Sequence, residues 1–532
     1  MKWYRKEVSS YCAIPVVILP KDRRVTEDTP RKEHTQRHAS DGQVLAGLCQ
    51  TCIGVTFRDS KATIAFRFST RSTERHNMRI LMFTYGSRGD VQPFLALGVA
   101  LRQAGHIPIL AAPERFAPFA ISHHIDFLPL PGNVETLARQ IADEARNQPL
   151  RLVWIIYRFA MPIGAEIARR IKRAARTVDM IVSSFLTVAL SHLYAQEYGI
   201  AECTVELFPF FDPPVEIASI MWPTDLIGLT GRRLSHVFTQ TVFRLSQSLS
   251  YRILRSRFPD IGPARLSWAT PGRHFGLLQA YSAALVPPGC APLTVQTGTW
   301  TFPQSEWQPP PELQAFLEAG PPPVVVSFGS MVSRDTPSLM TMIIKTLCQT
   351  GLRGIIQRGW ADATVQRVPN TIYLADEIPH DWLLPQAAAM IHHGGAGTTA
   401  SALRAGVPSV IVPLAADQPF WAWRAHKTGA NPPPIPVTEL SVERLQSALQ
   451  QALDPAYRSR AAIVSAMMRA EGGAPAAVQH IERWARDNGR SGSEPAPAQR
   501  SAANWSLTSR DGCRTVYDTY RHPNVIAGHT RI

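Results

Sequence analysis

His392-His393-Gly394-Gly395-Ala396-Gly397-Thr398-Thr399 constrains this chain more than any other stretch. It follows a short apolar run, Ala387 to Ile391, and precedes Ala400 to Ala405, whose apolar residues fall at helical spacing. Three glycines between such segments mark a strand-to-helix turn, which commits this part of the chain to an α/β fold. In such a turn the unpaired N–H groups of the first helical turn and the positive end of the helix dipole face an anion. Glycine lets a diphosphate approach the backbone closely. About twenty residues later, Asp417-Gln418-Pro419 sets an acceptor beside an amide, the combination that adjacent sugar hydroxyls demand when buried.

The same strand-turn-helix grammar recurs earlier. Arg79 to Tyr85 has the unbroken apolarity of a buried strand, Gly86-Ser87-Arg88-Gly89-Asp90 is a glycine turn, and Val91 to Ala104 has helical periodicity. Ile107 to Ala111 is a second strand, so a βαβ unit opens at Met78. Further alternation runs through Met180 to Ser183 and Ala201 to Leu207. Prolines then cluster at 303, 309 to 311 and 321 to 323, and Val324 to Ser330 opens a second strand-turn series. The expected organisation is an N-terminal extension over 1–77 without sustained periodicity, and a Rossmann-like domain over 78–300. A Pro-rich linker over 301–323, a second Rossmann-like domain over 324–487 and a disordered tail over 488–532 complete it. A last helix, Ala476 to Arg486, is placed to pack back on the first domain.

At 532 residues two domains are natural. The formal charge of +14 suggests nucleic acid only until it is located. The first 77 residues hold 14 Lys/Arg against 8 Asp/Glu, and no dense basic run occurs in the folded part. The remaining excess suits anionic small molecules or a membrane surface. Seven scattered cysteines argue against a disulfide framework, and Cys49-Gln50-Thr51-Cys52 stands without a second pair. No apolar run reaches the ~18 residues of a spanning helix, and Tyr11 to Leu19 lacks the pattern of a signal peptide. A cytoplasmic protein, peripheral at most to a membrane, is expected.

Three motifs together carry a resemblance: Gly86-Ser87-Arg88-Gly89-Asp90-Val91-Gln92-Pro93, Phe328-Gly329-Ser330-Met331, and His392 to Thr399 with Asp417-Gln418-Pro419-Phe420-Trp421. In this order they resemble the family-1 glycosyltransferases of GT-B fold, nearest the sterol 3β-glucosyltransferase branch, with the glycopeptide-antibiotic glycosyltransferases as cousins. The resemblance implies two Rossmann-like domains facing across a cleft. It also implies inverting transfer of a hexose, usually from UDP-glucose, to a lipophilic alcohol such as a sterol. Asp90 corresponds to the family's catalytic base, against the alternative that it merely caps the following helix. The donor would be held by Ser330, His380, His393, Gly395, Ala396, Gly397, Thr398, Asp417 and Gln418, with His392 structural. No Asp-x-Asp pair occurs, so no metal or other cofactor is expected, and the helix dipole neutralises the leaving group instead. Partners would be the UDP-sugar and a lipophilic small molecule.

Acceptor contacts are expected from Phe210, Phe211 and Trp222, in an apolar cluster with Phe238, and from Trp421 lining the cleft, with ordinary core packing as the alternative. Departures from the family pattern fall at Phe208 to Pro213, at Leu414-Ala415-Ala416, where an aromatic-glycine pair is usual, and at Glu377, where plant members stack a tryptophan. Two other readings remain: a nucleotide-sugar 2-epimerase and a non-catalytic binding protein on the same fold. A dinucleotide-linked dehydrogenase fails because the first turn is Gly-x-x-Gly.

Overall fold

The computed structural model describes residues 53–56, 65–68, 77–133, 149–220, 228–302, 307–329, 336–357, 368–376, 378–414 and 416–490. The chain divides into two units, 1–74 and 75–532. In the first, β1 (Ile53–Thr56) and β2 (Ala65–Phe68) pair antiparallel, with Ile53 opposite Phe68 and Val55 opposite Phe66. The sequence gives the 1–77 extension no sustained period and the composition of a disordered segment. Within it these eight residues pair as strands, and four-residue alternations of β-prone residues are too short to stand out as a period.

The second unit is built on two parallel sheets. The first contains β3 (Arg79–Phe83), β4 (Ile107–Pro113), β5 (Asp126–Leu130), β6 (Met180–Ser184), β7 (Ala201–Glu206), β8 (Gly276–Gln279) and β9 (Thr294–Gln296), in the order β5-β4-β3-β6-β7-β8-β9. The second contains β10 (Val324–Ser327), β11 (Gly354–Gln357), β12 (Ile372–Ala375), β13 (Ala389–His392) and β14 (Ser409–Ile411), in the order β12-β11-β10-β13-β14. Both are doubly wound. Strand order reverses between β3 and β6 in one sheet and between β10 and β13 in the other, and the crevice at such a switch point is where ligands bind in open α/β sheets.

Continuous apolar strands follow from burial on both faces. In β3, Ile80 and Met82 pack with the helix Arg88–Gln103, while Leu81 and Phe83 pack with the helix Pro149–Ala175. In β10, Val324 and Val326 enter one core and Val325 the opposite one. Each fully buried side chain of this kind contributes about 1.5–3 kcal/mol. Gly98 sits where the first helix meets the sheet closely: a Cβ there would lie 2.9 Å from the Met82 methyl and 2.8 Å from Ile125.

The segment taken from sequence as a linker contains a helix, Pro311–Glu318, started by its own prolines at the first turn. The last helix, Gly473–Arg490, returns to the first sheet. Ala477, Val478, Ile481 and Trp484 join the core around Ile80 and Phe94, and Glu482 Oε1 meets His106 Nε2 at 3.2 Å. The two lobes also meet directly. Arg424 Nε donates to the Leu285 carbonyl at 2.6 Å, and Ser282 Oγ donates to Glu471 Oε1 at 2.8 Å.

Candidate active site

The glycine turns of both lobes lie at the C-terminal ends of switch-point strands. After β3, Ser87 is the N-cap of the Arg88–Gln103 helix and Asp90 its third residue. Ser87 N donates to Asp90 Oδ2 at 2.7 Å and Ser87 Oγ donates to the same oxygen at 2.9 Å. Asp90 is therefore a capping residue. Both bonds fall on Oδ2, so the cap engages one oxygen of the carboxylate. Gly86, at φ +150°, is glycine because a Cβ there would collide with that carboxylate. Burial raises the Asp90 pKa above the ordinary aspartate value, against the lowering effect of the Ser87 bonds.

In the second lobe, β13 ends in His392 and the helix Ala396–Arg404 begins after N-cap Gly395. Thr399 N bonds back to the Gly395 carbonyl, which closes the first turn and leaves Ala396, Gly397 and Thr398 as its leading N–H groups. Gly397 is exposed, and no heavy atom stands within 4 Å of where its Cβ would be. His393 is packed between the two glycine turns of this lobe. A Cβ on Gly395 would come 2.5 Å from its Nε2, and one on Gly329 would come 3.2 Å from its Cε1. Burial pushes His393 down to about 4, so the imidazole is neutral at physiological pH and offers a hydrogen bond rather than a charge. His392 is fully buried, with Nδ1 accepting from Gly394 N at 3.0 Å. It shapes the turn.

His380 Nε2 meets Gln357 Oε1 at 3.2 Å, and Gln357 Nε2 donates to the Ile378 carbonyl at 2.7 Å. Burial, with Arg88 of the facing lobe and His393 as further causes, lowers His380 to about 4. Asp417 is half-buried at the start of the helix Gln418–Lys427 and accepts from Trp421 Nε1 at 2.9 Å. Burial first, and then the Asp90 charge, push Asp417 up to about 6. The first-lobe residues Arg88 and Asp90 thus lie within electrostatic reach of His380 and Asp417, which the sequence separates by about 300 residues.

Several expected roles change. Trp421 is 1% exposed, in the core beside Tyr281, and acts through its indole N–H on Asp417 rather than lining an acceptor surface. Gln418 is buried, with Oε1 accepting from Leu414 N at 2.8 Å, which locks the turn behind Asp417. Phe210 and Phe211 are buried among Phe185, Phe208 and Phe243. The Phe185 ring lies 4.5 Å from Phe210 and 4.6 Å from Phe243, so core packing accounts for both predicted residues. Phe238 projects from the outer side of the helix Leu229–Arg257, which carries Phe243 on its inner side, and is 60% exposed. Ser330, Trp222 and Glu377 lie outside the described residues.

Two features escaped the sequence reading. Glu206, fully buried at the end of β7, accepts from Phe210 N at 3.3 Å, from Phe211 N and from Gln279 Nε2 at 3.3 Å, and so fixes the 207–213 turn. Burial pushes it up to about 8. A lone glutamate at a strand end carries no signal in sequence. Ala416 adopts φ +57°, a left-handed conformation at the place where the resemblance leads one to expect glycine. Among the described residues no three His, Cys, Asp or Glu side chains converge as metal ligands.

The glycosyltransferase family 28 N-terminal domain matches residues 80–174, and the erythromycin biosynthesis protein CIII-like C-terminal domain matches residues 355–483. The chain is 30% identical over 454 residues to sterol 3-beta-glucosyltransferase UGT80B1 of Arabidopsis thaliana, covering 80% of this chain and 71% of that protein. It is 32% identical over 435 residues to O-mycaminosyltylonolide 6-deoxyallosyltransferase of Streptomyces fradiae, covering 77% and 98%. In fold it is similar to the kitacinnamycin glycotransferase (TM-score 0.58, 21% identity, 76% of this chain and 99% of that one). It is likewise similar to the glycosyltransferase VinC crystallised with dTDP (TM-score 0.57, 18% identity, 77% and 100%). The chain therefore belongs to the GT-B glycosyltransferases, in the family that contains the sterol 3-beta-glucosyltransferases and antibiotic glycosyltransferases, and is a hexosyltransferase enzyme.

Proposed function

We propose that this enzyme transfers glucose from UDP-glucose, with inversion, to the hydroxyl of a sterol or a closely similar lipophilic alcohol, without a bound metal. The observation that carries the reading is that both glycine turns start helices at the ends of switch-point strands, with Asp90 in one and the leading N–H groups of Ala396 to Thr398 in the other, and that the Asp90 charge is felt at Asp417. The sterol acceptor and the glucose rest on the plant relatives, which are sterol 3-beta-glucosyltransferases. That a solved neighbour holds dTDP supports a nucleoside diphosphate leaving group.

In the proposed step the acceptor oxygen attacks the anomeric carbon from the face opposite the diphosphate. Its proton passes to the Asp90 carboxylate. The bond from the anomeric carbon to the phosphate oxygen breaks, and its electron pair leaves on the diphosphate. The N–H groups of Ala396, Gly397 and Thr398, the helix dipole and neutral His393 stabilise that departing charge. Asp417, oriented by Trp421, accepts from a sugar hydroxyl. Retained Oδ2 capping keeps Asp90 in place while its other oxygen takes the proton. The same reading places the enzyme at a membrane surface, where such acceptors reside.

The test is release of UDP from UDP-glucose by the purified protein, with and without cholesterol dispersed in cyclodextrin, and with mass detection of the steryl glucoside. Acceptor-dependent release with a glucoside of the β configuration supports the reading. Binding of UDP-glucose without any acceptor-dependent turnover across sterols, hopanoids and flavonoids rejects it.

A further inference from the structure

The helix Leu229–Arg257 is 29 residues long, and its two faces differ. Toward the protein it buries Ser235, His236, Tyr251 and Leu254, and Phe243 joins the aromatic cluster with Phe185 and Phe210. Away from the protein, Leu234, Val237, Phe238, Val242, Leu245 and Leu249 are between 40 and 65% exposed. At 100° per residue these six fall on one side, in a stripe about 22 Å long. Scattered exposed apolar residues need no explanation, but a continuous row of this length on a helix does.

Charge identifies the occupant. Between Leu229 and Arg257 there are six arginines and no aspartate or glutamate. Arg232 and Arg233 precede the stripe, and Arg252, Arg255 and Arg257 follow it. Arg232 Nη1 donates to the Glu216 carbonyl at 2.6 Å, and Arg255 Nε donates to the Gly262 carbonyl at 2.7 Å. An apolar stripe flanked by arginines has the chemistry of a helix lying in the headgroup region of an anionic bilayer. A second protein chain would leave the arginines facing arginines if it were another copy.

We propose that the outer face of the Leu229–Arg257 helix docks the enzyme on an anionic membrane. This deepens the functional reading above and rests on it for its purpose. The inner face of the same helix packs on the aromatic cluster beneath the 207–213 turn, so docking brings that lobe to the surface from which a lipophilic acceptor would be drawn. No helix among the described residues is long and apolar enough to cross a membrane, which agrees with contact at the surface.

The experiment is co-sedimentation of the full chain with vesicles of phosphatidylcholine alone and of phosphatidylcholine with 30% phosphatidylglycerol, without donor or acceptor. Wild type is expected to bind the anionic vesicles, and to bind them more weakly as salt is raised. L245E/L249E is expected to lower the partition coefficient by about tenfold or more, since it removes two exposed leucines and adds two repelled charges. Both positions are exposed, so circular dichroism and the thermal midpoint should be unchanged. Turnover of cyclodextrin-solubilised cholesterol should equal wild type in the variant, whereas turnover of cholesterol embedded in anionic vesicles should fall. Absence of binding by wild type, equal binding by the variant, or a wild-type dimer in sedimentation analysis that the variant abolishes would each overturn the proposal. Failure of the functional reading is separable, because it abolishes turnover in cyclodextrin while leaving vesicle binding intact.

Discussion

Asp90 has two roles that a pair of substitutions separates. Its Oδ2 accepts two bonds from Ser87, at 2.7 and 2.9 Å, and holds the start of the Arg88–Gln103 helix. In Asp90→Asn the amide oxygen takes the place of Oδ2, so the cap survives and stability changes by less than ~1 kcal/mol. In Asp90→Ala the Ser87 N–H loses its partner, which costs about 0.5–2 kcal/mol. As a base, however, asparagine is as useless as alanine, and loss of general base catalysis lowers the rate by roughly 10²–10⁴. Urea denaturation should therefore leave Asp90→Asn at least as stable as wild type, since burial penalises the Asp90 charge, with Asp90→Ala below both, while UDP release with cholesterol should place both variants together, far below wild type. Measured donor affinity should remain close to wild type in Asp90→Asn, because the nucleotide is held by the other lobe. An Asn variant within threefold of wild-type turnover would refute the base assignment and leave Asp90 as a cap alone.

The pH dependence follows the same groups. Burial raises the Asp90 pKa, so its ionised, proton-accepting form is lost as pH falls through a value above the ordinary aspartate range. A pH profile of turnover should show its acid limb there, and Asp90→Asn should lack it. Because the Asp90 charge helps to hold Asp417 near 6, the same substitution should move the Asp417 titration downward, read from the pH dependence of UDP-glucose binding. His393 is lowered to about 4, so the stability it contributes is complete above about 6.5 and is lost as pH falls toward 4, at most about 3 kcal/mol. In His393→Gln the thermal midpoint should decline less over that window. Ala416→Gly relieves a left-handed alanine and should raise the unfolding free energy by about 0.5–1 kcal/mol by urea titration. Trp421→Phe removes the indole N–H that orients Asp417 but keeps the core filled. It should raise the KM for UDP-glucose several-fold more than it lowers kcat, and an unchanged KM would rule out that orienting role.

Much of the architecture was legible because it is local. Buried parallel strands are unbroken apolar runs, glycine turns must follow them where backbone comes close to a ligand or a carboxylate, and the helices after them carry an apolar stripe. Residues 86–90 and 392–399 therefore announced both switch-point turns. The large aromatics misled for the same physical reason that they were conspicuous. Phe210, Phe211 and Trp421 are apolar enough for a lipophilic pocket and equally suited to a core, and composition does not tell an inward face from an outward one. Phe238 was grouped with them although it lies on the opposite side of its helix.

What the sequence by itself determined is the set of strand-turn-helix units and the places of both glycine turns, since both depend on neighbours a few residues apart. Only the tertiary structure decided that Asp90 and Arg88 come within electrostatic reach of Asp417 and His380, that Glu206 ties down the 207–213 turn, and that one face of the Leu229–Arg257 helix remains open. Each of these depends on distances between residues far apart in the chain. Such distances are set by how two sheets and their covering helices pack, which no local pattern encodes.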